Sequence, residues 1–170
     1  TDSVNVFVNV APPISAGIDS SICEGESLGL LATGGLTYEW SPGLLLSDST
    51  IADPVATPLT TTTFTVIGRD NAGCENTDEI EVTINSAPIV NVGNDTSICF
   101  ADTLQLTATG ALTYTWETST FLSETGVANP QAFPTTDTEF VVTGVDGNGC
   151  ETEDSVLVQV LALPIPTVTN

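Results

Sequence analysis

The side chains of this chain that could do chemistry are almost all carboxylates. The 170 residues include 22 acidic side chains against a single basic one, Arg69, which gives a formal net charge of -21 at pH 7. One arginine cannot displace counterions from a phosphate backbone, so nucleic-acid binding is excluded. The sequence has no histidine and no lysine, which removes histidine-based nucleophile systems, imidazole zinc sites and lysine Schiff bases. Any catalysis would depend on carboxylates alone.

An internal repeat organises these side chains. A shift of 76 residues places Cys23 on Cys99 and Trp40 on Trp116, and 32 of the 75 residues from 12 to 86 are identical to their partners. Such self-similarity indicates a tandem array. Catalytic acid pairs are usually single and asymmetric, whereas these acids are duplicated with the repeat, so we do not expect an enzyme. Most of the acids are expected to form a solvated, self-repelling surface.

Some of the acids recur at the ends of each repeat and are candidate calcium ligands, because hard cations need clustered oxygens. An aspartate in a β-turn commonly hydrogen-bonds its own backbone instead, and the sequence contains no contiguous EF-hand loop, so both interpretations stay open. The candidates are Asp19, Asp70, Asp78, Asp95, Asp146 and Asp154.

The elements that must position these residues are nearly all strands. Short runs rich in Val, Ile, Thr and aromatic residues alternate with period 2 and are separated by Gly, Pro, Asn and Asp. This pattern predicts an all-β sandwich in each repeat. In the first repeat, strands are expected near residues 12–18, 27–33, 36–41, 51–57, 62–69 and 78–86, with equivalents 76 residues later.

The four cysteines form two equally spaced pairs, and we expect one disulfide per repeat, formed in an oxidising compartment. The repeat favours Cys23 with Cys74 and Cys99 with Cys150. Four predicted strands separate the members of each pair, and an even number would return the chain to the same end of the sandwich. Each bridge would contribute about 4 kcal/mol. Four free thiols, or a metal site made by all four cysteines, are the alternatives.

Two aromatic residues share one face of a predicted strand in each repeat. Tyr38 and Trp40 lie two residues apart, as do Tyr114 and Trp116. One interpretation is a platform on which sugars stack. The other is a core aromatic packed between two sheets, which the repetition and a flanking leucine in each repeat favour.

The combined motifs resemble a known type of repeat. They are Gly17-x-Asp19, Ile22-Cys23, Thr37-Tyr-x-Trp40, Asp53-Pro54 and Asp70-x-x-Gly-Cys74. This set is similar to the immunoglobulin-like and PKD-like repeats of Bacteroidota cell-surface proteins, which include gliding-motility adhesins and other cargo of the type IX secretion system. The resemblance covers essentially the whole chain, twice. It implies tandem immunoglobulin-like/PKD-like β-sandwiches at a bacterial cell surface.

The same resemblance implies O-glycosylation where Asp is followed by Ser or Thr and then by an aliphatic residue or Thr. The matching residues are Ser3, Ser49, Thr103 and Ser155. The stretch from Asn94 to Thr96 also matches the N-glycan sequon.

The repeat also sets the expected domain boundaries. Residues 12–87 and 88–163 are two complete immunoglobulin-like repeats. Residues 1–11 align with the last strand of a preceding repeat, and residues 164–170 align with the start of a following one. We therefore expect the sequence to be a segment of a longer extracellular protein.

These observations predict a structural segment of a long extracellular surface filament or giant adhesin, with a role as a shaft, in adhesion or in gliding motility. The expected partners are adjacent repeats of the same chain, with surface polysaccharide or other filament subunits as further candidates. Calcium is the candidate cofactor, and we expect neither nucleic-acid binding nor a membrane span. The alternative is a carbohydrate-binding accessory module of a secreted hydrolase, which requires exposed Trp40 and Trp116. A third hypothesis is a filament in which a strand such as residues 2–10 completes a neighbouring subunit.

Overall fold

The computed structural model describes residues 2, 4, 9–117 and 120–163 of the chain. The chain divides into two compact units, residues 1–85 and residues 86–170. Most of the predicted N-terminal strand, including Ser3, lies outside the described residues. The predicted opening of a further repeat at 164–170 lies outside them as well.

Within its described residues, the first unit contains six strands and a short 3-10 helix, Gly43–Leu45. The strands are β1 (Ser20–Cys23), β2 (Leu28–Gly29), β3 (Thr37–Ser41), β4 (Val55–Ala56), β5 (Thr62–Arg69) and β6 (Glu75–Asn85). Four of them form a sheet in the order β1-β6-β5-β3, and the other two form a second sheet, β2-β4.

The second unit repeats this construction. Its strands are β7 (Thr96–Cys99), β8 (Leu104–Gln105), β9 (Thr113–Trp116), β10 (Gln131–Ala132), β11 (Thr138–Val145) and β12 (Glu151–Leu161). Its sheets have the orders β7-β12-β11-β9 and β10-β8, which match those of the first unit position by position.

Strand β5 illustrates why these segments become strands. Its sequence, TTFTVIGR, places Phe64 and Val66 in the core, while Thr63, directly before Phe64, is exposed to solvent. This period-2 alternation fits a strand with one buried face. The equivalent strand β11 buries Phe140 and Val142 in the core of the second unit. The predicted all-β sandwich is confirmed in both units.

The first segment of each unit, residues 12–23 in the first and 88–99 in the second, contributes to both sheets. Ser15 bridges Thr33 in antiparallel fashion beside β2, whereas β1 then pairs parallel with the last strand, β6. In the second unit, Asn91 bridges Thr109 and β7 pairs parallel with β12. The two units are therefore tandem immunoglobulin-like β-sandwiches. Strand β1 is not among the predicted strands, because its four residues, SSIC, carry too little alternation to be recognised.

The predicted disulfide pairing within each repeat is wrong. Cys23 and Cys150 are disulfide-bonded, whereas Cys74 and Cys99 are free thiols. The expected bonds Cys23 to Cys74 and Cys99 to Cys150 are therefore not formed.

The two cysteines of the first unit lie at opposite ends of strand β6. Cys23 pairs with Asn85, the last residue of β6, whereas Cys74 directly precedes Glu75, its first residue. The 11 residues of β6, at about 3.3 Å each, separate the two cysteines by roughly 35 Å. A disulfide needs Cα atoms closer than about 7 Å.

Between Cys23 and Cys74 the chain makes one more pass along the sandwich than the sequence pattern predicts. Between β3 and β4, residues 45–47 run antiparallel to β4: Leu46 bridges Ala56, and backbone hydrogen bonds of 2.9 Å flank that bridge. This pass adds to the four strands β2 to β5. The number of passes between Cys23 and Cys74 is therefore odd, which places them at opposite ends of the sandwich.

Candidate functional site

Both tryptophans lie in the cores of their units. Trp40 is 2% exposed and Trp116 is 1% exposed. The indole N–H of Trp40 donates to the carbonyl of Ile51 at 3.1 Å, and that of Trp116 donates to the carbonyl of Val127 at 2.8 Å. A buried indole with a satisfied N–H stabilises the sandwich. Neither ring is available for stacking against a sugar.

The flanking leucines, by contrast, do not belong to the cores. Leu36 and Leu112 are 68% and 72% exposed, so these leucines do not support the core position of the neighbouring aromatic residues. Tyr38 packs against the core, and its hydroxyl both donates to the carbonyl and accepts from the N–H of Gly35, each at 2.9 Å. Tyr38 thereby closes the loop that leads into β3.

All six candidate calcium ligands accept hydrogen bonds from backbone N–H groups, and four of them do so between the first segment of a unit and its long strand. Asp78 Oδ2 accepts from Ala16 at 2.8 Å, and Asp19 Oδ1 accepts from Glu81 at 2.9 Å. These two bonds tie the first segment of the unit to strand β6 from both sides. In the second unit the equivalent bonds, both 2.9 Å, join Asp154 to Val92 and Asp95 to Leu157.

The remaining two candidates, Asp70 and Asp146, order the turn before the long strand. One oxygen of Asp70 accepts from the N–H groups of Ala72 and Cys74, at 2.8 and 2.9 Å. Asp146 makes the same two bonds in the second unit, to residues 148 and 150. No three His, Cys, Asp or Glu side chains come together as a metal-binding group within the described residues. The geometry favours the backbone interpretation of the six aspartates.

Three of the four predicted glycosylation residues can be placed, whereas Ser3 lies outside the described residues. Thr103 is exposed, in the loop before β8. Ser155 is half-buried, and its hydroxyl donates to Glu139 at 2.9 Å. Ser49 is also half-buried. Of these three residues, Thr103 offers the most accessible hydroxyl.

The turn around Ser49 is ordered by a carboxylate. Asp48 Oδ1 accepts from the backbone N–H of Thr50 at 2.8 Å and from its hydroxyl at 2.7 Å. These bonds, the backbone one above all, hold the pKa of Asp48 below its ordinary value because they favour the ionised carboxylate.

The one basic side chain of the sequence lies on the outer face of the first unit. Arg69, at the end of β5, contacts Glu75 at 3.1 Å and Glu39 at 3.4 Å. All three side chains are substantially exposed. Such pairs contribute little to stability, and the rest of the acidic surface has no cation in the sequence to neutralise it.

Each unit also has a shallow groove that sequence reasoning missed. In the first unit it lies where the first segment leaves β2 for β6, and its apolar floor includes Leu28, Leu30 and Ile80. In the second unit, Leu104, Leu106 and Val156 take the same places. The groove exists because the first segment changes sheets, a feature that depends on the unpredicted strand β1. No helix within the described ranges is long and apolar enough to cross a membrane.

Comparison with known proteins yields structural matches only, since no family model and no curated protein matches the sequence. The insect immune protein hemolin matches with 12% identity and a TM-score of 0.46, over 94% of this chain and 49% of its own. The IG1+IG2 structure of DIP-gamma matches with 8% identity and a TM-score of 0.43, over 90% and 99% of the two chains. Immunoglobulin domains 1–5 of Sidekick-1 match with 14% identity and a TM-score of 0.40, over 90% and 40%. The chain spans about half the length of hemolin. The assignment of this chain to the immunoglobulin-like fold rests on the strand order and pairing described above.

Proposed function

We propose that this chain is a structural segment of a long extracellular surface protein, in which tandem sandwiches form the shaft of a filament or giant adhesin. The observation that carries the proposal is the duplication of one module down to single hydrogen bonds. The bond from Ala16 to Asp78 recurs from Val92 to Asp154. Arrays of one repeated module are built to extend, since each copy contacts only its neighbours.

The chemistry of the described residues supports a structural role. A catalytic or small-molecule site gathers convergent polar groups in a pocket, often with perturbed pKa values. Here the buried side chains of the described residues are apolar, and the recurring aspartates are engaged by backbone N–H groups. The recurring aspartates thus serve the fold of each sandwich.

The surface supports an extracellular shaft as well. A net charge of -21 keeps copies of the protein apart and soluble. The sheet edges formed by β1 and β3 are only 4 and 5 residues long, which limits pairing between neighbouring molecules. The disulfide-bonded cysteines Cys23 and Cys150 fit an oxidising, extracellular compartment.

The role in adhesion or gliding motility, and export by the type IX system, follow from the resemblance to Bacteroidota surface repeats and form part of the proposal. Adjacent repeats of the same chain are the primary partners, with surface polysaccharide as the further candidate. The carbohydrate-binding module of a hydrolase is disfavoured, because the two indole rings that it would need at the surface are buried.

Immunogold electron microscopy on intact source cells tests the proposal. Antibodies raised against the purified chain are expected to label extended material outside the cell, and protease treatment of intact cells is expected to remove that label. Labelling confined to the cell interior would contradict the proposal.

A further inference from the structure

Strand β2 of the first unit has one edge that is paired with β4 and a second edge that faces the first segment. On the β4 side, the N–H of Leu30 donates to the carbonyl of Pro54 at 2.9 Å. Successive residues of an antiparallel strand point their N–H and C=O groups to opposite edges. The backbone groups of Gly29 and Leu31 therefore point away from β4, toward the first segment.

The first segment leaves this second edge largely uncovered. Ser15 and Thr33 exchange two backbone hydrogen bonds, of 3.1 and 2.9 Å. An antiparallel ladder continued from this pair would place Gly17 opposite Leu31. Gly17 instead has a φ of +97°, and the segment turns away to pair with β6. Within the described residues, the N–H and C=O groups of Gly29 and Leu31 consequently have no hydrogen-bond partner.

Two aspartates hold the first segment away from this open backbone, which we name the β2 edge (residues 29–31). Asp78 Oδ2 accepts from the N–H of Ala16 at 2.8 Å. Asp19 Oδ1 accepts from the N–H of Glu81 at 2.9 Å. Both bonds fix the segment on β6, and the space that remains beside the β2 edge is the shallow groove of the first unit. An incoming strand would not have to open this groove, which lowers the free-energy cost of binding.

The rims of the two grooves differ in polarity. In the first unit, Ile18 is 84% exposed and Leu31 is 59% exposed, and both line the groove. In the second unit, Asn94 and Thr107 take these places. Large apolar side chains that are exposed beside unpaired backbone groups favour contact with a partner. The second groove has an equivalent backbone but a polar rim, so it is a control within the same chain.

We propose that the first unit binds an extended strand of another protein at the β2 edge, antiparallel to β2. The N–H and C=O groups of Gly29 and Leu31 hydrogen-bond the backbone of that strand. Its alternate side chains are apolar, and they cover Leu28 and Leu30 on the floor of the groove and contact Ile18 on the rim. The inference adds a binding site to the proposed structural role and does not rest on that role.

The charge of the chain selects the chemistry of the bound strand. A net charge of -21 attracts basic segments and repels acidic ones. A second copy of this chain carries the same negative charge and is therefore disfavoured as the source of the strand. The expected partner is a strand with apolar residues at alternate positions and with lysine or arginine beside them.

Hydrogen exchange of the backbone amides, followed by NMR on the isotope-labelled chain, provides the first test. The probe is a synthetic peptide of alternating valine and threonine with lysines at both ends. In the free chain, the amides of Gly29 and Leu31 should exchange rapidly, whereas that of Thr33 should be protected by its bond to Ser15. Saturating peptide should slow exchange at Gly29 and Leu31. Protection of these two amides in the free chain, or no slowing with millimolar peptide, would overturn the proposal.

Fluorescence anisotropy of the labelled peptide provides the second test. The double variant Ile18→Asn/Leu31→Thr gives the first groove the rim of the second, and we expect it to bind the peptide about tenfold more weakly or worse, because apolar contact area is lost. Circular dichroism checks that the variant folds. The converse variant Asn94→Ile/Thr107→Leu should bind a second molecule of peptide.

The charge of the probe provides the matched control. The same peptide with glutamates in place of its lysines should bind much more weakly. Equal affinity of the wild-type chain and the first double variant, or equal affinity for the basic and the acidic peptide, would overturn the proposal. These experiments measure binding by the purified chain and not its location, so a failure here is distinguishable from a failure of the surface labelling.

Discussion

Asp78 Oδ2 accepts a hydrogen bond from the backbone N–H of Ala16 at 2.8 Å, across 62 residues of sequence. The bond fixes the first segment of the sandwich against strand β6 at the point where that segment changes from one sheet to the other. In the second unit, the bond from Val92 to Asp154 performs the same task at 2.9 Å. In each unit, this recurring aspartate thus joins two parts of the sandwich through a hydrogen bond.

Replacing Asp78 with alanine is expected to lower the free energy of unfolding of the first unit by about 2 kcal/mol, because it leaves the part-buried N–H of Ala16 without its charged acceptor. Urea denaturation followed by circular dichroism measures the change. Glu81→Ala is the matched control, since it removes the same charge from an exposed position on the same strand. An equal loss of stability in both variants would show that the hydrogen bond is unimportant.

Only glycine fits at Gly34 without strain, because of the backbone conformation there and the close approach of Pro13. Its φ is +88°, and a Cβ atom at this position would overlap the carbonyl oxygen of Pro13. We expect Gly34→Ala to lower the free energy of unfolding by more than about 2 kcal/mol, because the backbone must shift. Gly29→Ala is the control, since a Cβ atom on Gly29 would meet nothing within 4 Å and its φ is not positive. Similar melting temperatures for the two variants would contradict the expectation.

The buried indole of Trp40 should contribute more to the free energy of unfolding than the burial of its apolar surface alone. Trp40→Phe removes the hydrogen bond to Ile51 and leaves a cavity, and we expect a loss of about 2–4 kcal/mol in the first unit. Trp116→Phe is the matched variant in the second unit. In the wild-type chain, both indoles should resist fluorescence quenching by iodide, and soluble polysaccharides should leave their emission unchanged. Strong quenching, or a shift on adding polysaccharide, would revive the carbohydrate-binding interpretation.

Calcium should have little influence on stability, because the recurring aspartates already accept backbone hydrogen bonds. We expect the melting temperature measured by calorimetry to be the same, within about a degree, in excess chelator and in millimolar calcium, since stabilisation by a ligand requires binding to the folded state. Magnesium at the same ionic strength is the control for screening. A rise of several degrees specific to calcium would restore the calcium hypothesis.

Period-2 patterns were enough to predict the long strand β5 with its correct bounds, because burial of Phe64 and Val66 follows directly from alternation. The repeat marks six aspartates as candidate calcium ligands, but the sequence does not reveal their role in the fold. A carboxylate that binds a cation and one that accepts a hydrogen bond from a backbone N–H look alike in sequence. The disulfide pairing failed for a topological reason. Residues 45–47 form no strand pattern of their own, yet their pass along β4 reverses the end at which Cys74 lies. A count of strands is therefore unreliable where one short pass has no alternation to reveal it.

The acidic surface should make the sandwiches less stable at low ionic strength. With 22 acidic side chains and one basic one, repulsion opposes the compact state, and its range falls from about 30 Å at 0.01 M salt to about 3 Å at 1 M. We expect the melting temperature to rise as sodium chloride is raised over this range. The double variant Glu81→Gln/Glu124→Gln, which removes one exposed acid from each unit, should melt higher at low salt and respond less to added salt. If salt leaves the melting temperature of the wild-type chain unchanged, repulsion between the acids does not measurably lower the stability of the folded state, and the expectation is wrong.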